Sequence, residues 1–316
     1  MSFHGLGKII LLGEHSVVYG YPALAAALDR GVRIGAVPTP AGGTLRIDLP
    51  AWNVKLTAAD DHQLATALAA IADQLDLGRP PVTLVGEAQI PPGAGLGASA
   101  AFAVAAARAL IDYRARKHAT RDGLKLDQIP APAAADVIAA ANASEEVVHG
   151  RASGVDVALA THGGVGVFRK ASGLRPVQMP ALRVLVGSSG AQRSTAQMVE
   201  RVRVACAGER DDARLVELGA LTDAGTTALL GGELVALGAA MDRAHGLLGD
   251  LGVATPLLDG LCAAARKAGA YGAKLTGAGG GGAVIAIAPR DREAAVLAAW
   301  KTAQVDGFVA TIGGRA

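Results

Sequence analysis

Cysteine is almost absent: Cys206 and Cys262 are the only two in 316 residues. They stand far apart, with no CxxC and no Cys/His cluster, which excludes a disulfide framework and a thiolate zinc site and leaves two buried, reduced thiols. Aromatic residues make up 3% of the chain, too few for the stacking platforms on which single-stranded nucleic acid is read. An excess of one charge is missing too. The 30 Lys and Arg are scattered among 28 Asp and Glu, a formal net of +2, so there is no basic stripe for a nucleic-acid backbone. The most apolar helical stretch, 98–112, is interrupted by Arg108 and built from alanine rather than leucine, which falls short of a membrane span. Met1-Ser2-Phe3-His4 lacks the order of basic, apolar and small residues that marks export. The expectation is a cytoplasmic protein with no nucleic-acid or membrane partner, and any polyanion it binds is small.

What is present is a large apolar fraction, 51% against 18% charged residues, which excludes general disorder and supplies two packed lobes. Short apolar runs between turn residues predict strands at 8–13, 30–38, 44–50, 53–57 and 81–90. Helical spacing predicts helices at 60–75, behind a capping Asp60, and at 98–116 and 131–148, the last stopped by Gly150. Strands follow at 164–170 and 182–188, with a connection near 176–180 as the candidate boundary. Beyond it, helices are expected at 195–207, 211–230, 233–248 and 256–268, and strands at 270–276, 283–288 and 307–312. The reading is an α+β chain of two lobes, 1–178 and 179–316.

Glycine is plentiful, 42 residues, and is concentrated at 93–97 and 277–282. The segment PPGAGLGASAAFAVAAARAL, 91–110, reads as a strand end, a tight turn and the start of a long helix. Such a helix start presents unpaired backbone N–H groups and partial positive charge, a seat for phosphate. Gly93, Gly95 and Gly97 remove the side chains that would block it, and Ser99 places a hydroxyl in the first helical turn, where it can reach a magnesium ion. Gly93, Gly95 and Ala98 also fit the dinucleotide pattern G-x-G-x-x-A. That reading fails because Asp112 lies inside helical sequence rather than at the end of a second strand. No GxxxxGK[ST] string occurs. On its own the turn leaves simple close packing open as an alternative.

Three segments in one order add the decisive context: GKIILLGEHSVVYGYPALAAAL at 7–28, PPGAGLGASAA at 91–101 and KLTGAGGGGAVIAI at 274–287. Together they resemble the three motifs of the GHMP kinases. The likeness spans almost the whole chain and implies that family's two-lobed α+β fold, an N-terminal lobe like ribosomal protein S5 domain 2 and a ferredoxin-like C-terminal lobe. Glu14-His15-Ser16-Val17-Val18-Tyr19-Gly20 and Pro22-Ala23-Leu24 are similar to the branch whose acceptor is mevalonate rather than galactose. EEVVHGRASGVDVALATHGG, 145–164, is similar to the same branch's acidic stretch, departing from it at Ala152. A second departure, at Ala98, precedes Ser99.

The resemblance implies ATP and Mg²⁺ as cofactors and transfer of phosphate to mevalonate by a homodimer. It makes Asp156 the base for the acceptor hydroxyl and Lys8 its cationic partner. Pro92, Gly93, Ala94, Gly95, Leu96, Gly97, Ala98 and Ser99 would cradle the nucleotide, and Ser99 with Glu145 would hold the metal. His15, Arg193, Thr195 and Gly279 would face the substrate, Arg193 as a fork for its carboxylate. Glu14 is given no firm role. Ser194 reads as an N-cap for the helix that follows, and Trp52 and Asn53 lie near the adenine or in the core. The loop 277–282 also fits G-x-G-x-x-G, but a strand follows it, not the helix a dinucleotide requires. Two other readings share these motifs: a kinase of the same family for another small alcohol, and a ligand-binding homologue without catalysis.

Overall fold

The computed structural model describes every residue except 41, 123–124, 126–128, 151–153, 192–193 and 315–316. In chain order the first half runs β1 (Ser2–Leu12), β2 (Ala23–Pro38), β3 (Arg46–Leu49), β4 (Val54–Thr57), α1 (Gln63–Gln74), β5 (Val82–Ala88), α2 (Ala98–Asp122), α3 (Ala134–His149), α4 (Val155–His162), β6 (Val165–Arg169) and β7 (Gly173–Val177). The second half runs β8 (Leu182–Ser188), α5 (Thr195–Ala205), α6 (Ala213–Gly231), α7 (Leu234–Asp250), α8 (Pro256–Lys267), β9 (Gly272–Thr276), β10 (Ala283–Ile287), α9 (Glu293–Thr302) and β11 (Gly307–Ile312). Among the described residues no helix is long and apolar enough to cross a membrane.

The chain folds into two compact units that interleave in sequence. The first comprises Met1–Gly7, Arg30–Ile90 and Gly97–His162; the second Lys8–Asp29, Pro91–Leu96 and Gly163–Ala316. In the first unit β5 lies between β3, which runs parallel to it, and the outer half of β2, which runs antiparallel. Helix α2 packs against α1, α3 and α4. Its alanines at 100, 101, 103, 105, 106, 107 and 109 are all fully buried, and side chains this small bring neighbouring backbone close. Gly5 answers in kind, since a β-carbon there would stand 1.9 Å from the Ala101 carbonyl. Arg108, the one cation in this apolar helix segment, donates to the carbonyls of His4 and Thr161, which is how a half-buried guanidinium is tolerated.

In the second unit the start of β2 pairs with β6, and β6 with β7. A separate antiparallel sheet has the order β11-β8-β10-β9, with every residue of β9 and β10 buried. β9 is an edge strand, and α7 covers that edge. Asp242 accepts the Ala273 N–H at 2.8 Å and His245 Nδ1 accepts the Leu275 N–H at 3.2 Å, so two backbone donors that would otherwise invite another strand are satisfied. The close approach depends on Gly238, where a β-carbon would meet the Tyr271 carbonyl group at 2.4 Å; at Gly246 on the same helix one would meet nothing within 4 Å. Gly238→Ala is expected to lower stability by about 1–3 kcal/mol and Gly246→Ala to raise it by about 0.5–1 kcal/mol. Denaturant midpoints of the two variants moving in the same direction would refute this packing.

Four features differ from the sequence expectations, the first being that β1 begins at Ser2, well before the strand expected at 8–13. The strand expected at 30–38 begins already at Ala23; Ala23 to Leu28 are all buried, so no alternation shows and the alanines read as helix formers. Helices α4 and α9 and strand β7 were not anticipated from periodicity, and Pro176 lies within β7 opposite Gly166. Asp60 does not cap α1: its carboxylate accepts from the Thr57 backbone N–H, and His62 Nδ1 takes the capping place by accepting from Leu64. Ser194 does cap α5, accepting from the Gln197 N–H, and both cysteines are free and buried.

Candidate active site

The second unit brings the first motif, the opening of the glycine turn and the third motif into contact. Lys8, buried in β1, donates its backbone N–H to the Leu96 carbonyl at 2.9 Å. Ala94 and Leu96 point inward and are buried, whereas Pro92, Gly93 and Gly95 are exposed. The turn is therefore anchored by its apolar residues and presents backbone elsewhere. Gly93 and Gly95 have φ of 69° and 76°, the left-handed region that glycine enters without a side-chain penalty. A β-carbon on Gly282 would come within 3.0 Å of the Ala94 carbonyl, so the two glycine loops can meet only because neither carries side chains there.

Thr276 completes the contact: its hydroxyl donates to the Ile10 carbonyl at 3.0 Å and accepts the Ile10 N–H at 2.9 Å. Two residues beyond Thr276, the Ala278 carbonyl accepts from the His15 Nε2–H at 2.8 Å. A carbonyl can only accept, which fixes the ring tautomer. His15 is buried and holds a left-handed φ of 60°, uncommon for a residue with a side chain; burial pushes its pKa down. A cleft of about 40 Å³ opens between these loops, walled by Gly93, Ala94, Gly95, Thr195, Thr276 and Gly279 among others. Thr195, at the start of α5, and Gly279 thus share one cleft with the glycine turn. Arg193 lies outside the described residues.

Beneath this junction sits a buried ion pair. Lys274, fully buried in β9, donates to the Glu14 carboxylate and, at 2.6 Å, to the Leu275 carbonyl. Glu14 is 1% exposed, and its second oxygen, Oε2, is buried without a hydrogen-bond partner. Loss of water raises the Glu14 pKa and lowers that of Lys274, while their mutual attraction pulls each back.

The first unit holds the acidic candidates. Ser99 lies in the first turn of α2, which packs against α3. Near the end of α3 stands Glu145, 2% exposed. Its Oε2 is 3.7 Å from His149 Nε2, and the Ser99 hydroxyl is 3.3 Å from the same nitrogen. Two oxygen donors from separate helices therefore converge on one point. Asp156, half-buried, lies in the first turn of α4, where the helix dipole favours a carboxylate. Trp52 is fixed within this unit, its indole N–H donating to the Ile90 carbonyl at 2.9 Å, and Asn53 follows with a left-handed φ of 54°.

Sequence reasoning passed over Lys274, Thr276, His149 and His245. A signal existed for Lys274: a lysine inside a strand whose other residues are apolar must find a buried acid, and Glu14 ends the apolar run of the first motif.

The chain matches the GHMP kinases N terminal domain over residues 62–164 and the GHMP kinases C terminal domain over residues 226–306. It belongs to the GHMP kinase family. Within that family it is similar to the mevalonate kinase of Thermococcus sibiricus, 35% identical over 94% of this chain and 91% of the relative. The mevalonate kinase of Pyrococcus horikoshii is 34% identical over 91% of this chain and 89% of its own. Among solved structures, L. major mevalonate kinase in complex with R-mevalonate superposes with a TM-score of 0.83 at 26% identity, covering 100% of this chain and 97% of the other.

Proposed function

We infer that this chain transfers the terminal phosphate of ATP to the 5-hydroxyl of mevalonate. The observation that carries the reading is the full-length similarity to mevalonate kinases, 35% identity over 94% of the chain, together with a fold matched by a relative that holds R-mevalonate. Phosphoryl transfer needs positioning and charge compensation more than covalent chemistry. Asp156 accepts the proton of the acceptor hydroxyl, and Lys8 supports negative charge on the attacking oxygen. The backbone of Pro92 to Ser99 cradles the nucleotide phosphates, and His15, Thr195, Gly279 and Arg193 face the acceptor.

Ser99 and Glu145 suit magnesium. Both are hard oxygen donors, and they lie around one point; among the described residues no group of three or more His, Cys, Asp or Glu could hold a metal. Ser99 and Glu145 would hold such an ion together with phosphate oxygens and water, as so few protein ligands require. When bound, it neutralises charge on the nucleotide phosphates. His149 Nε2 lies 3.7 Å from the Glu145 carboxylate and 3.3 Å from the Ser99 hydroxyl, beside the place such an ion would take.

A coupled ADP-release assay across mevalonate, phosphomevalonate, galactose and homoserine tests the acceptor. Mevalonate is expected to give kcat/KM at least about a hundredfold above the others, ~2.7 kcal/mol of transition-state preference. Preference for a different alcohol would reassign the acceptor, and ligand binding without ADP release would make the chain a non-catalytic homologue.

A further inference from the structure

His245, on α7, lies outside the segments 7–28, 91–101, 145–164 and 274–287, yet it is 6% exposed and joins three elements. Its Nδ1 accepts the Leu275 N–H of β9 at 3.2 Å and lies 3.8 Å from the Cys262 sulfur of α8. Its Nε2 lies 3.0 Å from Asp259 Oδ1, also of α8. A backbone N–H can only donate, so Nδ1 carries no proton and the proton sits on Nε2, donated to Asp259. The grouping of Cys, His and Asp resembles a nucleophile triad, but Cys262 is fully buried and burial pushes its thiol up to about 12. Such a thiol is inert, so the ring's work is structural.

Leu275 lies between Lys274, paired with Glu14, and Thr276, which clamps Ile10; two residues beyond Thr276, Ala278 accepts from His15. We propose that His245 is a positioning residue: by accepting the Leu275 N–H with an uncharged ring it holds β9 in the register that delivers Lys274, Thr276 and the loop 277–282 to the first motif. This rests on the reading that the loop and His15 serve mevalonate phosphorylation. Protonation of Nδ1 would set an N–H against the Leu275 N–H and break the bond that holds β9.

The charged groups acting on the ring are Lys274 of β9, which opposes protonation, and Asp259 and Arg266 of α8, which favour and oppose it respectively. Asp242, on α7 itself, is engaged by Arg266 and the Ala273 N–H. β10 brings no titratable residue, and α6 sets Glu217 against Arg243. Burial dominates and moves the His245 pKa below its ordinary 6.5. The sign follows: a depressed folded value means that the bond stays intact through the free-imidazole range and is lost only as pH falls through the lower folded value, while folding stability declines from the free-imidazole value downward.

The test compares wild type, His245→Asn and His245→Leu. Asparagine places its Oδ1 where Nδ1 stands, so it can accept from Leu275 but cannot be protonated; leucine removes the acceptor. ADP release on mevalonate is followed from about pH 5 to 8, and the ¹⁵N shifts of the His245 ring are recorded in the wild type. We expect a wild-type loss of kcat on the acid side that tracks ring protonation. His245→Asn should stay within about threefold of wild type at neutral pH and lack that loss, and His245→Leu should fall by about tenfold or more at neutral pH and converge with the wild type on the acid side. A ring with its proton on Nδ1 at neutral pH overturns the proposal even if both variants fail to fold. An unchanged acid limb in His245→Asn, or wild-type activity in His245→Leu at neutral pH, overturns it as well. Failure of the functional reading looks different: no ADP release by wild type on mevalonate, with the ring tautomer as expected.

Discussion

Asp156→Asn is expected to reduce turnover on mevalonate by about 10²–10⁴-fold, the range for removal of a positioned general base, while ATP affinity stays within about threefold. The asymmetry is the informative part. Asparagine preserves the volume and much of the hydrogen bonding of the side chain in the first turn of α4, so fold and nucleotide binding should survive. It cannot accept the proton of the acceptor hydroxyl. Stopped-flow ADP release with ATP titration separates the two quantities. Turnover within tenfold of the parent, ~1.4 kcal/mol of barrier, would show that the acceptor proton leaves by another route.

The second large effect is one of stability. Lys274→Met should destabilise the protein by about 3–5 kcal/mol at neutral pH, because it leaves the Glu14 carboxylate buried without its cation. Lys274 is fully buried and Glu14 is 1% exposed, so water cannot replace the lost partner. The deficit should shrink as pH falls. Burial already raises the Glu14 pKa, and without Lys274 nothing as close offsets that rise; protonation then removes the buried charge, and the folded state gains relative to the unfolded. Adding Glu14→Leu to Lys274→Met should recover most of the loss, since an apolar pair of similar volume avoids the desolvation of both ions. Urea unfolding of both singles and the double at two pH values measures this. Additive losses in the double variant would mean that the two side chains do not act as a pair.

The elements of the candidate site announced themselves in the chain to very different degrees. The turn at 93–97 was legible because Gly93, Gly95 and Gly97 hold a left-handed φ, a conformation glycine enters without a side-chain penalty. Strands 182–188 and 307–312 coincide with β8 and β11, where an apolar run ends in turn residues. Local sequence says nothing of partners 260 positions apart, which is the separation of Lys274 and Glu14. His149 and His245 were invisible for a related reason. A histidine on a helix face shows no period, and its role is set by what lies against it, Ser99 of another helix and Glu145 one turn back for one and Leu275 for the other. Strand 23–28 was lost because burial on both faces erases the alternation by which strands are read.

The most direct measurement of the central claim is the structure of the product. Wild-type enzyme, ATP, Mg²⁺ and mevalonate should give a ³¹P resonance coupled to the C5 methylene protons, with one ADP formed for each phosphate transferred. Phosphorus bonded elsewhere on the molecule, or ADP accumulating while mevalonate remains unmodified, would contradict the assignment of this chain's chemistry.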